Sequence, residues 1–235
     1  MNTKKTARIV GVLFLAAIAT FMVGDTLLIE PILNAPDYLV GVSENETQVI
    51  VGTLIAFLDG LAIVGIAVLM FPILKKQNEA IALGYVGFRI TEFAVIIAYL
   101  VSPLVLIALS QEYVKAGDPD ASHFQTLGAL FQAGRYWAIQ LIYIFNGVAG
   151  LMLAYLLYQS KLIPRSISVL GLIGYALLLP GASLDMLGYV DTLHGAGMIV
   201  FLPGTLFETL LPIWLMVKGF NSSAIYSGSA KTDKV

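Results

Sequence analysis

Long apolar stretches alternate with short polar segments along the whole chain. Six such stretches can be marked, at approximately residues 9–29, 48–74, 80–109, 129–158, 166–189 and 196–217. At a rise of about 1.5 Å per residue, each is long enough to cross a hydrocarbon layer about 30 Å thick. The sequence lacks the period-two alternation that is typical of membrane β-strands. Because lipid offers the backbone no hydrogen-bond partners, the pattern predicts six transmembrane helices.

The basic residues predict how these helices are oriented. Ten of the thirteen Lys and Arg residues lie in segments on one side of a six-span arrangement. They are Lys4, Lys5, Arg8, Lys75, Lys76, Lys161, Arg165, Lys218, Lys231 and Lys234. The segments on the opposite side carry only Lys115 among several acidic residues. Since basic segments stay in the cytoplasm, we predict that both termini are cytoplasmic.

The chain reads as one domain followed by a tail. Residues 1–220 are predicted to form a single six-helix transmembrane domain, and residues 221–235, rich in Ser, Gly and Lys, a disordered cytoplasmic tail. The start of the first span resembles a cleavable signal peptide, with basic residues before the apolar run 9–23. We favour a retained helix, because the apolar stretch continues to Ile29 and cleavage would leave the new N-terminus outside.

Composition narrows the class of protein further. The chain is 58% hydrophobic and 12% charged, with a mean hydropathy of +0.87, whereas a soluble domain carries about 25% charged residues. This excludes a soluble globular protein and makes membrane lipid the main surroundings. The chain has no cysteine, which excludes disulfides, thiolate catalysis and thiolate metal ligands. The basic residues are those that the topology requires, so no nucleic-acid partner is predicted.

Charged residues inside the apolar stretches are the best indication of function. Arg89 and Glu92 lie three residues apart in the third span and therefore share a helix face. Asp59 and Glu208 lie near the middle of the second and sixth spans. A charge at the centre of a span costs about 2.5–3.5 kcal/mol, so these four mid-span residues should face one another or water. Three carboxylates share one arginine, and a proton or a cationic ligand would supply the missing charge.

Three further charged residues lie nearer the outer ends of their spans. These outer residues are Asp25, Arg135 and Asp185. We expect them to line an approach from outside to the mid-span residues. The competing interpretation is that the buried ion pairs only fix how the helices pack.

A metal site is a weaker hypothesis. Asp118 and Asp120 lie near His123, and Asp191 lies near His194, in segments outside the spans. A metal requires three or four convergent ligands, and helix capping and loop solvation explain both groups. Neither histidine lies at membrane depth to bind haem, and no mid-span lysine is present for a retinal Schiff base. No metal, other cofactor or catalytic residue is predicted.

Four segments of the chain resemble a known family. They read ALGYVGFRITE (82–92), SQEYVKAGDPDASHFQTLGALF (110–131), YQSKLIPRSISVLGLIG (158–174) and LPIWLMVKGF (211–220). Over roughly residues 5 to 220 the chain resembles the multi-pass prokaryotic membrane proteins of domain-of-unknown-function family 4386. The resemblance implies an integral protein of a bacterial or archaeal cell membrane. It implies no reaction, substrate or site.

The sequence therefore predicts an all-α, polytopic membrane protein with six transmembrane helices. The leading functional hypothesis is binding or transport of a small solute or proton by the mid-span residues. Arg89 would hold the carboxylates, and Glu92 or Glu208 would exchange the proton. The alternatives are a structural or sensory membrane component with packing-only ion pairs, and an intramembrane metal-dependent hydrolase that uses the two histidines.

Overall fold

A computed structural model describes residues 3–117 and 121–221 of the chain. Within these ranges the regular structure is helical, without a β-strand. The α-helices are α1 (Thr3–Phe21), α2 (Glu30–Leu33), α3 (Tyr38–Glu44), α4 (Glu46–Leu74), α5 (Glu79–Ala116), α6 (Ala121–Ser160), α7 (Arg165–Met186) and α8 (Leu202–Val217). A π-helix (Met22–Ile29) follows α1, and a 3₁₀ helix (Gly195–Phe201) precedes α8. The predicted tail from residue 222 onward, with Asp118 and Asp120, lies outside the described residues.

Six helical stretches of the described chain are long and apolar enough to cross a membrane, as predicted. They are Thr3–Leu33, Glu46–Leu74, Glu79–Ala116, Ser122–Ser160, Arg165–Met186 and Gly195–Val217. Each exposes large apolar side chains, such as Leu54 on α4 and Leu83 on α5. Exposed leucines on every stretch are expected when lipid surrounds the protein. The protein is thus a multi-pass membrane protein with an all-α fold.

Contacts divide the chain into two compact units. The first unit comprises residues 3–15, 62–93 and 140–221 of the described chain. The second unit comprises residues 16–61 and 94–139, apart from the undescribed residues 118–120. Each unit has an apolar core of its own.

In the first unit, small residues let α7 and α8 approach closely. A Cβ atom added to Gly174 on α7 would lie 2.4 Å from the Gly204 backbone nitrogen on α8. One turn away, a Cβ on Gly171 would lie 2.8 Å from Cδ2 of Phe207. Small residues are the usual means by which membrane helices pack backbone to backbone. This close approach brings the side chains of Tyr175 and Glu208 within hydrogen-bonding distance of each other.

In the second unit, the π-helix interrupts the regular turns of the first span. The Glu30 N–H bonds to the Asp25 carbonyl oxygen five residues earlier, which is the π-helical spacing. Gly24 packs against α4, where a Cβ would lie 2.4 Å from the Ala56 backbone nitrogen. Hydropathy predicted a helix here but not this change of geometry. The wider turn contains Asp25, which is fully buried.

Candidate functional site

Arg89 and Glu92 form a buried ion pair in the first unit. The two side chains lie one turn apart on α5, and Arg89 Nη1 is 3.1 and 2.8 Å from the two Glu92 carboxylate oxygens. Only 4% of Arg89 and 3% of Glu92 is exposed. The guanidinium also lies over the ring of Tyr85, with Cζ 5.7 Å from the ring centroid. Glu92 therefore compensates the arginine charge locally, as the spacing of the two residues predicted.

Glu208 on α8 is held by a tyrosine from α7. The hydroxyl of Tyr175 donates a hydrogen bond of 2.8 Å to Glu208 Oε1. Tyr175 is buried, and its ring packs edge to face on Phe207 with the centroids 5.8 Å apart. Gly150 on α6 leaves room for this ring, since a Cβ there would lie 2.3 Å from Tyr175 Cζ. Glu208 itself is half-buried and forms no salt bridge with any residue that the structure describes.

A cavity of about 130 Å³ borders the Glu208 carboxylate. Side chains from α6, α7, the 3₁₀ helix and α8 form its walls, including Tyr143, Asn146, Tyr175, Phe201, Thr205 and Glu208. Pockets for drug-sized ligands measure about 300–1,000 Å³. This cavity is therefore limited to a ligand of a few non-hydrogen atoms.

The cavity walls combine aromatic rings with oxygen acceptors. The rings of Tyr143 and Phe201 lie 5.0 Å apart between centroids. Asn146 Oδ1 is buried and accepts no hydrogen bond from the described part of the chain. No Lys or Arg is found among the described residues that line the cavity. Carboxylate oxygens, a free amide oxygen and aromatic faces are the groups that recognise a small cation.

The charges around the site do not balance. Among the described residues, Glu208 is close enough to influence Arg89 and Glu92 electrostatically, and we call these three side chains the Glu208 cluster. The cluster contains one guanidinium and two carboxylates, and the guanidinium is bonded to Glu92. A buried cluster with an excess carboxylate is stabilised by a proton or a small cation.

A second ionic cluster lies in the second unit and includes two of the outer residues. Arg135 Nη2 donates to Asp25 Oδ1, and the Tyr99 hydroxyl donates to Asp25 Oδ2 at 2.7 Å. The Arg135 guanidinium stacks on Tyr99, with Cζ 3.9 Å from the ring centroid. Asp25 and Arg135 form a buried ion pair here. The arrangement joins the π-helix to α5 and α6 through hydrogen bonds.

Asp185 and Asp59 are the two remaining charged residues that the sequence singled out. Asp185, at the end of α7 in the first unit, accepts hydrogen bonds of 2.5 and 2.6 Å from the Thr192 backbone N–H and hydroxyl. It therefore closes the loop that follows α7. Asp59 is half-buried on α4 in the second unit, whereas Arg89, Glu92 and Glu208 belong to the first. A role for Asp59 in the same site stays a prediction.

The histidines lie outside the ionic clusters. His194 Nδ1 is 3.1 Å from Asp191 Oδ2, and both side chains are largely exposed. His123 is exposed on α6 in the second unit. Over residues 3–117 and 121–221, no three His, Cys, Asp or Glu side chains come together as metal ligands. Nothing in this part of the chain supports the hydrolase hypothesis.

Two residues of the site were not identified from the sequence. Tyr175 lies in the middle of the fifth span. A tyrosine hydroxyl buried there requires a hydrogen-bond partner, so its position in the apolar stretch could have marked it as a site residue. Asn146 lies three turns beyond Arg135 on α6, but its place at the cavity depends on how α6, α7 and α8 pack. No periodicity of a single helix predicts a cavity between three helices.

Comparison with known families assigns the chain to a family, although that family has no known function. A family model described as a domain of unknown function, DUF4386, matches residues 9–219. Comparison with curated proteins and with solved structures gave no match. Only the geometry of the site therefore bears on the function. Because the match extends over nearly the whole chain, the protein belongs to the DUF4386 family.

Proposed function

We propose that this membrane protein binds a small cation, a protonated amine or a proton, at Glu208 in the cavity of the first unit. Binding is one step in moving that cation across the cell membrane of a bacterium or archaeon. The observation that carries the proposal is the excess carboxylate of the cluster. Glu208 faces the cavity, while Arg89 is already bonded to Glu92.

The division of roles follows from the hydrogen bonds. Glu92 is bonded through both oxygens to Arg89, so it is the less available carboxylate. Glu208 accepts one hydrogen bond from a neutral hydroxyl and remains half-buried beside the cavity. Glu208 is therefore the group that exchanges the cation. Arg89 and Glu92 are positioning residues that determine the electrostatic potential at Glu208.

The surroundings of the cavity favour a cation over an anion. Glu208 would repel an anion, and no Lys or Arg among the described lining residues would bind one. A protonated amine instead donates to Glu208 and lies against the rings of Tyr143 and Phe201. The size of the cavity restricts the amine to a short one, such as methylammonium.

The proposal is tested with purified protein in lipid nanodiscs. The midpoint of thermal unfolding is measured with increasing methylammonium, with tetramethylammonium as a larger cation and acetate as a small anion. At a concentration 100 times Kd, a ligand stabilises the folded state by about 2.7 kcal/mol. We expect stabilisation by methylammonium alone. Proton uptake between acid and neutral pH is measured in parallel on the same samples.

Two matched variants make the test specific. Glu208→Gln keeps the shape of the side chain and should abolish methylammonium stabilisation and reduce proton uptake. Glu112→Gln makes the same change at an exposed carboxylate paired with Lys115 and should leave the ligand response intact. If Glu208→Gln binds methylammonium and protons as the wild type does, the proposal is wrong.

The second cluster favours a packing role for its own residues. Asp25 and Arg135 are mutually neutralised and their side chains are buried. Their contacts link the π-helix, α5 and α6 of the second unit. An Asp25→Asn variant is therefore expected to lower stability and leave the stabilisation by methylammonium unchanged. This outcome would separate a packing cluster from a binding cluster within one protein.

A further inference from the structure

A cleft of about 530 Å³ lies in the first unit where the loop between α6 and α7 meets the end of α8. Three basic side chains line it, Lys161 and Arg165 from the loop and Lys218 from the end of α8. The Asn221 N–H donates a 2.9 Å hydrogen bond to the Leu162 carbonyl, which joins the two segments. This basic cleft is separate from the Glu208 cavity and shares none of its lining residues.

The basic cleft has no compensating negative charge in the described structure. None of the described residues that line it is acidic. Lys161, Arg165 and Lys218 are exposed, and none forms a salt bridge within the described ranges. Convergent cations without a counter-charge raise the local positive potential and attract an anion.

Apolar side chains also line the basic cleft. Leu162, Ile163 and Phe220 are buried residues of its lining. Trp214 lies one turn before Lys218 and lines the same cleft. Tryptophan is enriched at the depth where hydrocarbon gives way to headgroups, because its ring is amphipathic. Basic and apolar side chains in one cleft suit an amphipathic ligand with an anionic headgroup and an apolar chain.

The basic cleft also lies at the right depth for such a ligand. Arg165 begins the fifth candidate span, and Lys218 follows directly after the sixth, which ends at Val217. The ends of membrane spans lie at the level of lipid phosphates. From these observations we propose that the basic cleft binds the phosphate headgroup of an anionic phospholipid from the surrounding leaflet. Under the predicted topology, this is the cytoplasmic leaflet.

The orientation of the helices alone does not require this convergence. The positive-inside rule depends on how many basic residues the loops carry, and not on whether they surround a cleft. Lys75, on the same predicted side, lies over the ring of Phe71, with Nζ 5.6 Å from the centroid, outside the basic cleft. The Arg165 guanidinium lies 5.0 Å from the Tyr158 ring centroid, which restrains it at the rim. Lys75 is therefore a suitable control position.

The experiment measures lipid retained by the full chain. Protein is purified from nanodiscs that contain equal amounts of phosphatidylglycerol and phosphatidylcholine, and native mass spectrometry counts each lipid that remains bound. We expect the wild type to retain phosphatidylglycerol preferentially. Each removed cation should lower that preference about fivefold. Lys161→Gln/Lys218→Gln should therefore lose most of it.

Matched variants exclude an effect of net charge or folding. Lys5→Gln/Lys75→Gln removes the same charge from the same predicted side and should retain the wild-type preference. Lys161→Arg/Lys218→Arg keeps the charge and should also retain it. Equal loss in the Lys5/Lys75 control overturns the proposal. Loss in the arginine variant overturns it too, because a headgroup site requires charge at these positions.

Two additional measurements distinguish a bound lipid from other possible ligands of the basic cleft. Equal retention of both lipids by the wild type, the result expected if residues after Asn221 fill the cleft, overturns the proposal. Glycerol phosphate is added to protein in pure phosphatidylcholine nanodiscs, and the thermal midpoint is measured. If it stabilises the protein as much as phosphatidylglycerol does, the site binds soluble phosphates and the lipid proposal is wrong. Glu208→Gln should retain the lipid preference, so this test is independent of the proposed function.

Discussion

At the scale of single residues, Arg89 illustrates how a charge is accommodated inside a membrane protein. An isolated charge at mid-span costs about 2.5–3.5 kcal/mol. Here Nη1 of the guanidinium contacts both oxygens of Glu92 and the guanidinium lies over the face of Tyr85, so its charge is compensated within α5. The two opposite charges compensate each other. Removing only one of them leaves the other buried without a partner, which destabilises the folded state.

That asymmetry gives the first prediction. Arg89→Met should lower the free energy of unfolding by about 3–5 kcal/mol, because Glu92 would then be a buried carboxylate without its cation. Arg89→Met/Glu92→Met removes both charges and should recover most of the loss. Denaturant unfolding in a mild detergent measures both. A double variant that is no more stable than Arg89→Met would contradict this account of the pair.

A second prediction concerns Gln140 on α6 in the first unit. Its side chain is 0% exposed, and both amide atoms lack a hydrogen-bond partner among the residues that the structure describes. A buried unsatisfied amide costs about 1–3 kcal/mol, so Gln140→Met should raise the free energy of unfolding by about 1 kcal/mol or more.

Gln48 supplies the control for that experiment. Its amide nitrogen donates a 2.9 Å hydrogen bond to the Leu28 carbonyl oxygen in the second unit. Gln48→Met should therefore destabilise the protein by about 1 kcal/mol. The thermal midpoints of the two variants should shift in opposite directions. A destabilised Gln140→Met would show that its amide is satisfied in solution.

At this scale, sequence reasoning succeeded where partners are close along the chain. Arg89 and Glu92 are three residues apart, and helical periodicity alone predicts their contact. Tyr175 and Glu208 are 33 residues apart, and Asp25 and Arg135 are 110 apart. Which distant polar residues meet depends on how helices pack, and the polarity of each residue alone does not contain that information.

At the scale of helices, the contact between α7 and α8 sets the geometry of the candidate site. Gly174 lies directly before Tyr175, and Gly204 lies one turn before Glu208. The glycines allow the backbones to approach, and the hydroxyl then reaches the carboxylate at 2.8 Å. A change in the separation of these two helices is therefore a change in the site.

This gives the third prediction. Gly174→Ala places a Cβ 2.4 Å from the Gly204 nitrogen, so the helices must separate. Such overpacking costs about 1–3 kcal/mol, and the stabilisation by methylammonium should fall with it. Gly87→Ala on α5 is the control, because nothing lies within 4 Å of its Cβ position. That variant should be as stable as the wild type or up to about 1 kcal/mol more stable.

The helices also show what hydropathy can and cannot predict. The six spans were predicted because each is a continuous apolar run, and the helices match them with ends shifted by up to seven residues. The π-helix at Met22–Ile29 and the 3₁₀ helix at Gly195–Phe201 were not predicted. Both occur inside apolar runs, where the choice of turn is decided by packing, such as that of Gly24 on Ala56, and not by polarity.

At the scale of the whole molecule, orientation in the membrane stays a prediction that labelling can test. The chain has no cysteine, so a single introduced thiol reports on one position. Lys76→Cys and Glu112→Cys are exposed sites on either side of the third span, whose apolar part was predicted at residues 80–109.

In intact cells, a membrane-impermeant maleimide should label Glu112→Cys and spare Lys76→Cys. The reason is that the predicted cytoplasmic side carries most of the basic residues. Both sites should react after the cells are permeabilised, which serves as the control for reactivity. If only Lys76→Cys is labelled in intact cells, the topology is the opposite of the predicted one. The basic cleft would then face the outer leaflet.

The length of α5 has a practical consequence. Its 38 residues extend about 57 Å, far more than a hydrocarbon layer of about 30 Å requires, even for a steeply tilted helix. Its last turns pack against the start of α6, where the rings of Tyr113 and Phe124 lie 5.9 Å apart. We predict that the ends of these two helices project beyond the hydrocarbon layer. These helices would offer an epitope for an antibody fragment, whose mass would provide the alignment feature that a 25.3 kDa membrane protein lacks in electron microscopy.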